Sequence, residues 1–470
     1  MTPDERSGPP ADDRTRTNNN EALLDLEVRE ADVARPTTQV VRRGRTFESF
    51  RNRDFAWFWS GALVSNVGTW MQNYALGIVV FALRRSEFDL GFINFISGIP
   101  VLFLALLGGA IADRVDRRKL LIWIQVVLIV QALALGALYS LGYLSSVHAL
   151  AALAWVATLG AIAGVFNALQ FPSWQAMLPD LVPRESLLNA IALNSAQFQS
   201  SRLIGPLVAG ALVVAGASMG ELFYINAASF LFVIAALSVI RPQFAPTPEM
   251  RASRKREGAI QTLLGGLKYA THDRVVGLLI LSTAIMTIFG FPYMTLLPAI
   301  VNRTLGFAVS TAPYNRAVAL IMATNGLGAM VGALSVASLR GIRRNVVIPI
   351  AVLAFGISLL AFSLSRSLWL TAVISAFAGA ALMTTNSLAN TSIQAAVPGH
   401  LRGRVMALFV TAFMGIMPIS GLLFGAIGQG IGPSNAVLVG SIALIVWALF
   451  LVTTQALARY GRSAEEARTA

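Results

Sequence analysis

The side chains in this chain with most capacity for chemistry are charged groups and amides set among apolar residues. One group is Gly109, Asp113, Arg114, Arg117 and Arg118, an acid that follows a glycine-rich stretch and precedes three arginines. An acid at a helix end can bond the positive N-terminus of a neighbouring helix, and small residues let helices approach closely. Arginines beside that acid can then form a pair network that breaks and re-forms, which suits a gate. A second group is Arg202, Gly205, Pro206 and Gly210. Proline removes a backbone donor and glycine permits close packing, so this segment is expected to be a bendable, tightly packed helix, with a simple structural kink as the other reading. A third set, Asn66, Thr69, Trp70, Asn73, Gln197, Asn386 and Asn390, offers neutral polar and aromatic groups of the kind that line a cavity for a small molecule.

Other chemistries lack their residues. The chain has no cysteine, which excludes disulfide scaffolds, Cys-ligated metal and thiol catalysis. His148, His272 and His400 are far apart and no HExxH helix exists, so no metal site is expected. There is no phosphate-binding GxxxxGK[ST] loop, no GxSxG elbow and no pair of carboxylates within an apolar run. Neither an enzyme nor a resident cofactor is expected.

The elements that must position the candidate residues follow from composition. Hydrophobic residues make up 56% of the 470 and charged residues only 13%, against roughly 45–50% and about 25% in soluble proteins. A membrane-crossing helix needs about 20 mostly apolar residues. Twelve such runs can be marked, at 56–83, 89–112, 119–141, 147–171, 188–215, 220–240, 275–301, 314–338, 346–364, 368–395, 404–429 and 434–457. The expected fold class is therefore an all-α membrane protein of 12 transmembrane helices, arranged as two six-helix halves.

The expected organisation is a disordered cytoplasmic tail over 1–46, a first half over 47–240, a cytoplasmic linker over 241–273, a second half over 274–458 and a tail over 459–470. The linker contains Pro242, Pro246, Pro248 and Arg254-Lys255-Arg256. Faint internal similarity supports the division: Val182-Pro183 matches Val397-Pro398, and Arg117-Arg118 matches Arg343-Arg344. Thirty Lys/Arg fall on the side of the termini, five on the other (Arg84, Arg85, Arg303, Arg316 and Arg366), and Arg202 inside a span. Positive residues favour the cytoplasm, so both termini are expected there, and the net charge of +13 reflects orientation rather than nucleic-acid binding.

Within the first span, Ser65, Asn66, Thr69, Gln72 and Asn73 fall within about 120° at 100° per residue. A polar stripe at membrane depth must face protein or a watery cavity, which leaves cavity lining and inter-helix hydrogen bonding as equal readings. Asn194 and Gln197 in the fifth span, and Asn386, Asn390 and Gln394 in the tenth, are further polar sets. Trp70, Phe289, Phe291 and Tyr293 are candidate aromatic walls. Arg202 is expected near mid-bilayer, its charge met either by Gln197, Gln199 and carbonyls freed near Pro206, or by an anionic or carbonyl-rich substrate. No carboxylate is expected at that depth, so proton coupling would use boundary groups such as Asp113 or Glu221.

The stretch Gly108–Lys119 resembles the loop signature G-x-L-A-D-R-x-G-R-R of the major facilitator superfamily, with Asp116 where glycine is usual. Ser201–Gly210 is similar to the exporter signature G-x-x-x-G-P-x-x-G-G, with Ser201 and Ala209 in place of two glycines. Together with Ser65–Gln72 and Val397–Met406, these motifs resemble the enterobactin-exporter-like and macrolide-efflux-like branch of that superfamily over residues 47–455. The resemblance implies a secondary active transporter that exports a small amphipathic molecule, such as a drug, siderophore or metabolite, by alternating access across a bacterial plasma membrane. It further implies a monomer in the lipid bilayer, with a proton as an open second partner. A lipid or lysolipid flippase on the same fold and a non-transporting membrane scaffold are the alternatives.

Overall fold

Side-chain caps mark where three of the apolar runs begin, at Asp116, Ser218 and Asp273. The computed structural model describes residues 47–112, 116–240, 259–338 and 344–454. The chain divides into a short unit, Met1–Glu48, of which only residues 47 and 48 are described, and a large unit, Ser49–Ala470. The expected tails 1–46 and 459–470 and the linker as far as residue 258 lie outside the described residues.

The described part of the large unit is mainly helical. Its first helices are α1 (Arg53–Arg84), α2 (Glu87–Ala112), α3 (Arg117–Ser140), α4 (Ala149–Met177), α5 (Leu187–Val214) and α6 (Met219–Val239). There follow α7 (Ala259–His272), α8 (Arg274–Gly290), α9 (Pro292–Thr295), α10 (Leu297–Arg303), α11 (Ala312–Ser338) and α12 (Arg344–Leu364). The last four are α13 (Leu368–Ala396), α14 (Gly399–Val410), α15 (Met417–Ile431) and α16 (Pro433–Thr453). Asp116 caps α3 by accepting from the backbone N–H groups of Arg118 and Lys119, at 2.9 and 3.3 Å. The residue that departs from the loop signature is thus a helix cap. Ser218 and Glu221 form a reciprocal capping box at the start of α6.

Among the described residues, ten helical segments are long and apolar enough to cross a membrane. The long helices that fall short are α1 and α5, of 32 and 28 residues, which at about 1.5 Å per residue still reach about 48 and 42 Å. Both are too polar rather than too short: α1 carries Ser65, Asn66, Thr69, Gln72 and Asn73, and α5 carries Asn194, Gln197, Gln199, Ser200, Ser201 and Arg202. The run expected over 275–301 is broken at Phe291–Pro292 and Leu296–Leu297, since Pro292 and Pro298 cannot supply backbone donors in a continuing helix. The run expected over 404–429 holds a π-helical turn at Thr411–Gly415, ahead of Pro418. The latter part of the expected linker is the helix α7, which packs on α14.

α1 to α6 pack chiefly on one another, as do α7 to α16, and two long seams join the groups: α2 with α15, and α5 with α11. Small residues set these approaches. A Cβ on Gly91 would lie 2.3 Å from the Gly421 carbonyl oxygen, and one on Gly98 would lie 2.3 Å from Pro418. On the other seam, a Cβ on Gly210 would strike Ala319 and one on Gly326 would strike the backbone of Leu203. Within the second group, Gly328 and Gly332 bring α11 against Ala376 and Ala380 of α13. Four-residue spacing of small residues is what lets apolar helices touch where lipid supplies no hydrophobic drive.

Candidate functional site

At the start of α3, Arg117 is buried and donates from Nη1 to the Ala176 carbonyl at 2.9 Å and to Asp180 Oδ2 at 3.1 Å. Arg118 donates from Nη2 to the Ser238 carbonyl at 2.6 Å. The two arginines therefore tie the N-terminus of α3 to the ends of α4 and α6. Asp113 and Arg114 lie outside the described residues, and Gly109 lies in the last turn of α2. Asp180 did not stand out in the sequence, although it is a lone acid in the apolar run Met177–Val182.

The polar stripe of α1 divides. Gln72 accepts from Asn226 Nδ2 at 2.8 Å and donates to Gln131 at 3.4 Å, so it bonds neighbouring helices. Ser65 is buried, and its carbonyl accepts from the Thr69 hydroxyl at 3.0 Å. Asn66, Thr69 and Trp70 are partly exposed and Asn73 is exposed, which leaves them available to a cavity. Asn66 touches Gln197 at 3.4 Å, and Gln197 is otherwise buried beside Ser201.

α5 runs unbroken through Pro206, with Gly205 seated against Trp70 and Val67 of α1. Arg202 is 15 residues into this 28-residue helix, about half-way across, where an arginine costs about 2.5–3.5 kcal/mol on insertion scales. Its Nη2 donates to Asn325 Oδ1 of α11 at 2.6 Å, and its Cζ lies 5.6 Å from the centroid of Trp70. Neither Gln197 nor Gln199 is its acceptor. A hydrogen bond to a charged group contributes about 1.5–3 kcal/mol and a cation–π contact about 0.5–2, enough to offset most of the cost. Asn325 is buried and in turn donates to the Tyr293 hydroxyl and to the Ser375 carbonyl. Tyr293 meets Phe355 and Phe362 edge-on, and Phe289 meets Phe424 likewise, so these rings serve packing.

Asn386 and Asn390 are partly exposed on α13. Gly379 of that helix is level with Asn325, so the two amides stand about 10 and 16 Å further along the axis. The structure does not bring them to Arg202. Asn390 accepts from Gln394, one turn on.

The opposite end holds a charged cluster that sequence reading passed over because its members are remote. Glu87, fully buried at the start of α2, has Oε1 2.7 Å from Arg303 Nε of α10. This is an ion pair without good hydrogen-bond geometry, since neither carboxylate oxygen accepts a hydrogen bond. Arg303 also donates to the Arg85 carbonyl at 2.9 Å, and the Glu87 N–H donates to Gln429 Oε1 of α15 at 3.0 Å. Asp89, also buried, pairs loosely with Arg84 at 3.5 Å. Tyr74 of α1 donates to the Asn315 carbonyl of α11 at 2.9 Å beside a cavity of about 320 Å³. The signal in the sequence was two acids next to Arg84 and Arg85 at the start of an apolar run.

Known proteins give this arrangement its context. The chain is similar to the enterobactin exporter EntS of Escherichia coli, at 24% identity over 404 residues, 84% of this chain and 91% of that protein. It is 24% identical to the multidrug efflux pump Tap of Mycolicibacterium fortuitum, over 79% of this chain and 88% of that one. To the staphyloferrin A transporter of Staphylococcus aureus it is 26% identical over 250 residues, 53% of this chain and only 59% of that protein. Among solved structures, a variant of the nucleoside transporter NupG superposes with a TM-score of 0.70 at 11% identity, covering 85% of this chain and 99% of that one. The D-xylose-proton symporter superposes at 0.62 and 16% identity, covering 83% and 96%. These structures share the fold. Residues 45–469 match the family model described as transmembrane secretion effector, and the chain therefore belongs to that family of major facilitator transporters, which are multi-pass membrane proteins and not enzymes.

Proposed function

We propose that the chain is a secondary active transporter of the bacterial plasma membrane that exports a small amphipathic molecule by alternating access. Counting α1 and α5 as spans brings the ten apolar segments to twelve, with α1 to α6 as one half and the spans from α8 onward as the other. Export is what the names of the EntS and Tap relatives describe for those proteins. The excess of Lys/Arg on the side of the termini supports a cytoplasmic location for both. Arg303, Glu87 and Gln429 are then at the outer end.

The observation that carries this reading is where the halves touch. Among the described residues, their polar contacts run from Arg303–Glu87 and Tyr74–Asn315 at the outer end, through Arg202–Asn325, to Ser200 and Met330. Beyond that level, toward the cytoplasm, no described hydrogen bond or ion pair joins α5 to α11 or α2 to α15. Closed outside and at mid-depth, with polar residues such as Asn66 and Asn386 toward the inner end, is the arrangement of a carrier waiting for cytoplasmic substrate. In this reading Gly109, Asp113, Arg114, Arg117 and Arg118 form the inner gate that closes when the halves rock.

The test is efflux of a fluorescent amphipathic dye from cells that do or do not produce the protein, before and after the pH gradient is collapsed. Faster efflux that depends on the protein supports the reading, and its slowing on collapse assigns the driving force to protons. Identical dye retention over a panel of dyes would refute export.

A further inference from the structure

Arg202 is better supplied with donors than the protein is with acceptors. It is 92% buried, yet only Nη2 finds an acceptor, Asn325 Oδ1 at 2.6 Å. Its Nε–H, the two N–H groups of Nη1 and the second N–H of Nη2 make no hydrogen bond among the described residues, and neither Nε nor Nη1 is fully enclosed. Carboxylates that could neutralise it are committed elsewhere: Glu87 faces Arg303, Asp89 faces Arg84, Asp180 faces Arg117, and Glu221, Asp116 and Asp273 cap helices. Trp70 covers one face of the guanidinium, while Thr69 spends its hydroxyl on its own helix. Toward the inner end lie Ser201, Gln197 and Asn66, each within hydrogen-bond reach of the next.

A planar fork with four free N–H donors, buried near mid-membrane where the two halves meet, matches an anionic oxygen group. We propose that Arg202, held by Asn325 and backed by Trp70, binds a carboxylate or similar oxyanion of the exported molecule. The subsite bridges both halves, since Arg202 and Trp70 belong to one and Asn325 to the other, so an anion bound there would compete with the bond that ties them at mid-depth. This deepens the export reading and rests on it.

The test uses the purified full chain and two probes of equal shape, dansyl-phenylalanine and its neutral amide, with binding read by dansyl fluorescence polarisation. The wild-type protein should bind the carboxylate at least about tenfold more tightly than the amide. Arg202→Gln should bring the carboxylate down to the level of the amide and leave amide binding within about twofold. Asn325→Asp keeps shape and gives Arg202 a counter-charge of its own, so it should do the same even if Arg202→Gln does not fold. Equal wild-type affinities, binding of neither probe, or parallel loss of both in the variants would overturn the anion subsite. Export of a cationic dye by the wild type is measured alongside. Dye export without carboxylate preference would remove the subsite and leave the transporter reading, whereas carboxylate preference with no export of any dye, anionic or cationic, would leave the subsite and remove the transporter reading.

Discussion

Replacing Arg303 with methionine should open the end of the molecule that it now closes. Glu87 is completely buried, while the side chain of Arg303 is 45% exposed, so the two members of the pair are unequally dependent on each other. Loss of Arg303 strands a buried carboxylate, a change that costs about 3–5 kcal/mol for a fully buried pair and about 0–1 kcal/mol for a surface pair. Half exposure of the arginine places this pair between, at about 1–3 kcal/mol. In the proposed cycle the halves part at this end, and Glu87 then reaches water, so the penalty falls on the closed form alone. The closed-to-open equilibrium should shift about 5- to 150-fold. Glu87→Gln should do much less, because it leaves only a half-hydrated arginine that still donates to the Arg85 carbonyl. The double variant should return toward wild type, since neither charge is then stranded. The assay exploits a chain without native cysteine. Asn315→Cys, at a position 6% exposed whose side-chain oxygen lacks a partner, becomes the sole thiol, and its labelling rate by a bulky maleimide reports opening. Equal labelling rates with and without Arg303, or a larger effect from Glu87→Gln, would refute the reasoning.

Three further outcomes are expected. Asp180→Ala should lower stability by about 1.5–3 kcal/mol by removing one charged acceptor of buried Arg117, seen as a fall in Tm of the detergent-purified protein, and an unchanged Tm would contradict it. Gly328→Ala should cost about 1–3 kcal/mol through overpacking, because its Cβ would fall 1.8 Å from the Ala376 carbonyl oxygen, while Gly403→Ala, with nothing within 4 Å, should be neutral or stabilising by Tm. Asp113→Asn should keep expression and membrane insertion but strongly depress dye efflux, and near wild-type efflux would remove it from the gate.

What the sequence made legible was whatever depends on local pattern. Apolar runs located most helices within a few residues, and Gly205, Pro206 and Gly210 marked a tightly packed one. The breaks at Phe291–Pro292 and Leu296–Leu297 were also written locally, in Pro292 and Pro298, but were masked by the unbroken apolarity of 275–301. Partnerships were not legible, because they join positions far apart in the chain. Arg202 finds Asn325, 123 residues on, and Glu87 finds Arg303 through the fold alone. The stripe on α1 shows the limit clearly: its angular spread could not separate Gln72, which bonds Asn226 and Gln131, from Asn73, which stays open. Glu221 illustrates the reverse case, a candidate boundary proton group that is occupied as a helix cap.

Alternating access is tested most directly by locking the outer seam. A Cβ on Gly421 would stand 3.4 Å from the Cβ of Asn94, close to the separation a disulfide needs. Asn94→Cys with Gly421→Cys in the otherwise cysteine-free chain should form a bond that joins α2 to α15 across the halves. Dye efflux should stop on oxidation and return on reduction. Undiminished efflux from protein shown to carry the disulfide would mean that this seam need not open, and alternating access through it would be wrong.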